Sequence, residues 1–363
     1  MAAYTTIDDP SAHFQTTLYT GGGANTVVTN GGNSDLKPDF LWIKNRTAGY
    51  AHFVVDSNRN ISYAQNSSNA PYLETDSTAA ENNNQNWMQS VNTDGFTTGI
   101  AEHTNCNSGS AYVAWQWKAN GGPTASNSDG SITSTVQANT TAGFSIVTYT
   151  GNSNSPSSIG HGLGVVPKFY VIKQRDAANP WKVYHSGIAT DAEDYVMELN
   201  TTGAKEDNAI WNDTGPTSSV INFTDHGGVN QSGETYVAYC FAEVQGYSKF
   251  GKYVGTGGTG ITAPFVYTGF KPAFLIVKKS SGTGNWLLYD NKGEPGNLIG
   301  DNFYPNLVNA ESGQTTNGYD FLSNGFKVRN VYGDGNVNGQ TFIYMAFAEN
   351  PFVTSTGIPT TAR

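Results

Sequence analysis

Pro38-Asp-Phe40-Leu-Trp42-Ile-Lys44 is one of three copies of a heptamer, the others being Pro167-Lys-Phe169-Tyr-Val-Ile172-Lys173 and Pro272-Ala-Phe274-Leu-Ile-Val-Lys278. Each copy is an apolar run bounded by proline and lysine and rich in residue types that suit a pleated strand. Apolar side chains at consecutive positions need cover on both faces, so each heptamer is expected to be a central strand. A polar substitution within it should unfold its module.

Landmarks around the heptamer keep register. Tyr19 and Gly21, Tyr149 and Gly151, and Tyr253 and Gly255 stand upstream, with the tyrosine 19, 18 and 19 residues before the proline. A second strand ends 18 residues after each proline, at Asp56, His185 and Asp290. A closing strand follows Gly109, Gly233 and Gly339: Tyr112-Val-Ala-Trp115-Gln-Trp117, Tyr236-Val-Ala-Tyr239-Cys-Phe241 and Phe342-Ile-Tyr344-Met-Ala-Phe347. Asp94-Gly-Phe96 matches Asn324-Gly-Phe326 as a turn entering a strand, whereas the middle copy carries Ser218-Ser-Val-Ile221 there. Self-similarity at a fixed period marks repeated structural units.

The repeat divides the chain into an N-terminal segment 1–11, modules 12–120, 142–246 and 247–353, a linker 121–141 and a tail 354–363. The linker is rich in Gly, Ser, Thr and Asn and is expected to be extended or flexible. Only Val244 to Lys249 separates the second and third modules, so these should pack as a unit while the first swings. Short apolar segments separated by Gly, Asn, Ser and Asp clusters predict an all-β chain of three tandem antiparallel β-sandwiches, jelly-roll or lectin-like in type. One short turn of helix is expected, within Asp191 to Leu199.

Charged residues form only 13% of the 363, against 42 glycines and 12% aromatics, a mixture that favours turns and strands over helices. The net charge of −10 without a Lys/Arg cluster argues against nucleic acid. The Met-Ala-Ala-Tyr start has no basic, apolar leader, and no apolar run approaches a membrane span, so a soluble chain made in a cytoplasm is expected, with no membrane insertion. Cys106 and Cys240 are expected to be free thiols, a single long-range bridge being the alternative.

No enzyme-like constellation stands out, and neither catalytic residues nor a cofactor is expected. The acid pairs Asp8/Asp9, Asp191/Glu193/Asp194 and Glu206/Asp207 read as solvated loop charges rather than a glycosidase pair. His13, His52, His103, His161, His185 and His226 lack the spacing of a zinc site or a triad. Gly-rich turns such as Tyr253 to Gly258 lack a phosphate loop's Gly-Lys-Ser/Thr ending. The run Tyr332-Gly-Asp334-Gly-Asn336-Val-Asn338 alternates oxygen ligands, so Asp334, Asn336 and Asn338 are candidate calcium ligands, with a hairpin turn as the favoured reading. Among the aromatics, Trp42, Trp115, Trp117, Trp181 and Trp286 fall in or beside strands and read as core. Trp87 and Trp211 sit among Asn, Gln and Asp and are the candidates for exposed, sugar-stacking recognition.

Asp9-Pro-Ser-Ala-His-Phe14, Thr17-Leu-Tyr-Thr-Gly21, Pro38 to Arg46, Asn92 to Phe96, Tyr112 to Ala119 and Phe347 to Phe352 together resemble a repeat-bearing family of tailed-phage virion proteins abundant in marine phages. The resemblance covers essentially the whole chain and carries no catalytic or ligand residues. It implies a lectin-like β-sandwich fold and a virion-surface role. The expected function is a tail-fibre or appendage component that binds a host cell-surface glycan or receptor, contacts other virion proteins and forms a homo-oligomer. A purely structural virion part, either capsid decoration or tail adaptor, is one alternative, and a polysaccharide depolymerase another. His185, standing where the sister modules have Asp56 and Asp290, should remove from the middle module any site built on that aspartate.

Overall fold

A computed structural model describes residues 3–59, 71–82, 87–100, 105–313, 317–329 and 333–360. The chain is almost entirely β, built from several antiparallel sheets. One strand order occurs three times: an opening strand, a closing strand, a lysine strand and a fourth strand, side by side. The opening strands are Phe14–Thr20, Phe144–Thr150 and Ser248–Val254, and the closing strands Ala111–Trp117, Thr235–Phe241 and Thr341–Pro351. The lysine strands, Phe40–Asn45, Phe169–Gln174 and Phe270–Lys279, contain the heptamers, and the fourth strands are Phe53–Asp56, Lys182–His185 and Trp286–Asp290.

The glycine landmarks have a steric cause. A Cβ on Gly21, Gly151 or Gly255 would lie 2.3, 2.3 or 2.2 Å from the carbonyl oxygen of Asn107, Gln231 or Val337. Gly109, Gly233 and Gly339 adopt φ of +78°, +83° and +74°, open to glycine without strain. Each then donates its N–H to the carbonyl of its partner among Gly21, Gly151 and Gly255, tying the start of the closing strand to the end of the opening one.

Each large sheet is covered on both faces, as continuous burial along Phe40–Asn45 and Phe169–Gln174 requires. The outer cover in the first and third modules is a three-stranded sheet, Val27–Val28, Phe96–Thr98 and Met88–Val91 in one, Phe265–Tyr267, Gly325–Val328 and Tyr319–Leu322 in the other. The middle module, which lacks the Asn-Gly-Phe turn, has a two-stranded ribbon, Ser157–Gly160 paired with Val220–Phe223, to which Ile132 adds an isolated bridge at Ile159. Trp211 fills space beside that pair, edge-on to Tyr170 and Tyr184. Asp191 to Leu199 contributes a single 3-10 turn, Ala192–Asp194, followed by the strand Tyr195–Glu198.

The inner faces of the three large sheets pack on one another around a pseudo-threefold axis. Trp117, Phe241 and Phe347, at matching closing-strand positions, form a triangle with centroid separations of 6.3, 5.9 and 5.4 Å. The first phenylalanine of each opening strand packs on the heptamer phenylalanine of the neighbouring module: Phe14 on Phe274 at 5.5 Å, Phe144 on Phe40 at 6.0 Å and Phe250 on Phe169 at 6.2 Å. Burying one such ring contributes roughly 1.5–3 kcal/mol, and separating the modules would expose all nine. The first module is therefore held in the ring with the other two, against the expectation that it swings.

Residues 121–141 also depart from the linker expectation. Ala125–Asn127 and Ser134–Asn139 extend the middle sheet beyond its opening strand. Along the second of these, Ser134 and Val136 are buried while Thr135 is exposed. A polar composition conceals this short strand-type alternation.

Candidate functional site

The repeated polar residues converge on the three junctions between modules, and each junction uses the same positions in the same direction. Heptamer lysines Lys44, Lys173 and Lys278 are buried. Lys44 Nζ donates to Asn45 O and Ala48 O in its own turn and to Val308 O of the third module. Lys173 does so to Gln174 O, Ala177 O and, in the first module, Thr78 O. Lys278 reaches Lys279 O, Gly284 O and, in the second module, Thr202 O. An ammonium offers three donors, so three carbonyls complete it. Burial pushes all three lysines down to about 8.

The Asp56, His185 and Asp290 positions form a second ring. Tyr239 OH of the second module donates to Asp56 Oδ2 at 2.5 Å, and Trp115 Nε1 of the first donates to Asp290 Oδ2 at 3.0 Å. The matching donor position in the third module is Met345, which has no proton to give. His185 instead bonds through Nε2 to the neighbouring Tyr344 carbonyl at 3.0 Å, while Nδ1 accepts from Gly187 N at 2.9 Å. These partners fix a neutral ring protonated at Nε2, and burial lowers its pKa to about 4. Loss of the aspartate thus coincides with loss of its donor.

Charge is distributed unequally around the ring. Where the second module meets the first, buried Arg59 pairs with Asp56 at 2.5 Å and with Glu81 at 2.8 Å, and Glu81 also takes Arg175 at 2.8 Å. Burial disfavours charge on Arg59, and Asp56 and Glu81 more than offset it. Burial likewise works against the Glu81 carboxylate, but the two arginines hold its pKa below the ordinary value. Where the first module meets the third, Arg46 meets Glu311 at 2.7 Å. Burial there raises Glu311 to about 7 despite the arginine. A main-chain bond recurs at all three junctions, from Glu81 N to Arg175 O, Lys205 N to Ser280 O and Glu311 N to Arg46 O.

The recognition candidates lie elsewhere. Trp211 is fully buried, its Nε1 donating to Tyr195 O. Trp87 is half-buried against Phe53 and Tyr72 at 4.9 and 4.6 Å. Neither is an exposed loop aromatic: polar sequence neighbours lie beside these rings while apolar residues distant in sequence cover them. Trp42, Trp115, Trp117, Trp181 and Trp286 are buried, and Trp181 and Trp286 donate across junctions to Glu74 O and Glu198 O. The surface instead carries Phe265 and Tyr267, which flank buried Val266 in an edge strand that is apolar at all three positions, so no period in the sequence marked them as exposed.

The proposed calcium ligands face different partners. Asp334 accepts from Asn285, whereas buried Asn336 accepts from Thr256 N and donates to Gly258 O. Asn338 packs against Gly257, and Tyr332 lies outside the described residues. Among the described residues no three His, Cys, Asp or Glu side chains form a metal-binding group. Asp8 accepts from Ser355, Asp9 caps the Pro10–Ala12 turn, and Glu206 and Asp207 are exposed. Asp191 is exposed while Glu193 and Asp194 are half-buried on their 3-10 turn. His13 meets Asn139, His161 lies near Thr217 O and His226 caps Gly227–Asn230. His52 accepts from Trp42, and His103 lies outside the described residues. Cys106 and Cys240 are free and buried.

Fold and junctions together define a single-chain, pseudo-threefold all-β protein. The chain belongs to a family described as a domain of unknown function (DUF7483), matched over residues 9–351, a span that takes in all three modules. No curated protein and no solved structure matches it. Among the described residues no helix is long and apolar enough to cross a membrane.

Proposed function

We propose that this chain is a non-enzymatic structural component of a tailed-phage particle, a three-lobed block that works through contacts with other virion proteins. The particle assignment rests on the family resemblance in the sequence. What favours a structural role over glycan recognition is where the aromatics lie: Trp87 and Trp211 are packed inward, and the junction tryptophans serve the ring. Exposed Phe265 and Tyr267 suit a protein interface, and a fixed block supports such contacts without ordering on binding.

The test has two arms. Particles purified from lysed host cells are analysed for the chain and its copy number, and the labelled recombinant chain is offered to host cells with released envelope polysaccharide as competitor. A fixed copy number in the particle and no saturable cell binding are expected. Saturable binding competed by polysaccharide returns the chain to the adhesins, and absence from the particle overturns the virion role.

A further inference from the structure

Two junctions contain the same groove, and among the described residues only one of them is filled. Where the second module meets the first, the outer edge of the opening strand Phe144–Thr150 carries the strand Ser134–Asn139, antiparallel, with Thr135 opposite Thr148, Gln137 opposite Ile146 and Asn139 opposite Phe144. The first module grips that strand from the side. Ser57 Oγ donates to Gln137 Oε1 at 2.7 Å, and Asn58 Nδ2 donates to Thr135 O at 2.9 Å.

Where the first module meets the third, the opening strand Phe14–Thr20 has a bare outer edge among the described residues. The bonds from Lys118 N to His13 O and from Gly21 N to Ser110 O fix which residues face the closing strand. Alternation then turns the main chain of Phe14, Thr16 and Leu18 outward. A cavity of about 550 Å³ lies at this edge, lined by Phe14, Thr16 and Leu18 of the strand together with Thr29, Asn291 and Lys292. Asn291 and Lys292 follow Asp290 as Ser57 and Asn58 follow Asp56. Thr16 Oγ1 and Asn291 Oδ1 are buried there with no hydrogen-bond partner among the described residues, an arrangement that favours a ligand able to supply one. The third junction is pinched, since a Cβ on Gly187 would lie 3.3 Å from the carbonyl carbon of Gly251.

We infer that the open groove receives an extended segment of a partner polypeptide, added antiparallel to Phe14–Thr20 in the register of Ser134–Asn139. This rests on the proposed role in protein contacts and names the chemistry of the partner. The filled groove supplies the template: an uncharged Ser/Thr/Val strand with a Gln or Asn opposite Thr16, whose amide N–H donates to Asn291 Oδ1. Main-chain bonds would give affinity and the amide register, as in other cases of strand addition.

The probe is a labelled peptide of the chain's own residues 131–140, titrated into the full-length protein with anisotropy and amide exchange as readouts. Thr16→Pro removes an outward donor at an edge position where proline is tolerated, and Asn291→Ala removes the acceptor without touching the main chain. Saturable binding is expected, with exchange slowed at Phe14, Thr16 and Leu18. Each variant should weaken affinity about five- to tenfold, the loss of one hydrogen bond. No binding, or binding unchanged in both folded variants, overturns the inference. A concentration-dependent dimer that Thr16→Pro abolishes assigns the groove to a second copy and overturns the partner stated here. Peptide binding is independent of the particle, so this test and the virion test fail separately.

Discussion

The junction of the second module with the first and that of the first with the third are assembled from matching positions, yet they are finished differently. One buries Arg59 between Asp56 and Glu81 and adds a strand along the opening edge. The other relies on Arg46 and Glu311, both partly exposed, beside an open cavity. Both keep the lysine cage and the aromatic contact. The repeated geometry therefore resides in what the two share, and the charge chemistry is free to differ between copies. The third junction makes the same point, with His185 and Met345 replacing a carboxylate and its donor while the main-chain bond remains.

Removing the two arginines separates the junctions most strongly. Arg59→Ala leaves buried Asp56 without a counter-charge while Glu81 keeps Arg175, and should lower unfolding stability by about 3–5 kcal/mol, whereas Arg46→Ala leaves a carboxyl whose pKa of about 7 lets it take up a proton, and should lower it by about 1 kcal/mol. Denaturant titration of both variants measures this, and equal losses would mean that the junctions are not distinguished by buried charge. The lysine cages sharpen the comparison from the other side. Lys173→Met and Lys44→Met each leave three carbonyls short of a donor and should cost alike, about 3 kcal/mol each. A large difference between them would show that the cages are not equivalent.

Acid should move the junctions in opposite directions, with the smallest effect. Glu311 has a folded pKa of about 7, above its ordinary 4.5, so its contribution is full below 4.5 and is lost as pH rises through 7. Glu81 is lowered, so its contribution is present above the ordinary carboxylate value and lost as pH falls through the folded value. Amide exchange at Glu311 should slow relative to Glu81, after correction for the intrinsic rate, between pH 7.5 and 5. Exchange at Glu81 should rise only in stronger acid. Parallel behaviour of the two amides would contradict the assignment.

Much of the strand framework was legible in the chain because steric and periodic constraints act locally. The heptamers had to be covered on both faces, and the glycines before the closing strands mark turns that a side chain would strain. What covers the inner face was not legible. An apolar strand demands a partner without naming it, and here the partner is the same strand of a neighbouring module, as Phe40 against Phe144 illustrates. Trp211 misled for the same reason, its cover coming from Tyr170 and Tyr184 rather than from its polar neighbours. Lys44, Lys173 and Lys278 were visible as landmarks, but their cages close with carbonyls from modules distant in sequence. The open groove was hidden too, since it exists only by comparison with the one that Ser134–Asn139 fills.

The most direct test of a closed ring sharing one core is denaturant unfolding of the full chain followed by pulsed hydrogen exchange and mass spectrometry, with peptides from all three modules read separately. A single cooperative loss of protection, with one midpoint for the three lysine strands, is the expected result. Unfolding of Phe40–Asn45 at a distinctly lower denaturant concentration than Phe169–Gln174 and Phe270–Lys279 would mean independent modules on a string and would contradict the ring.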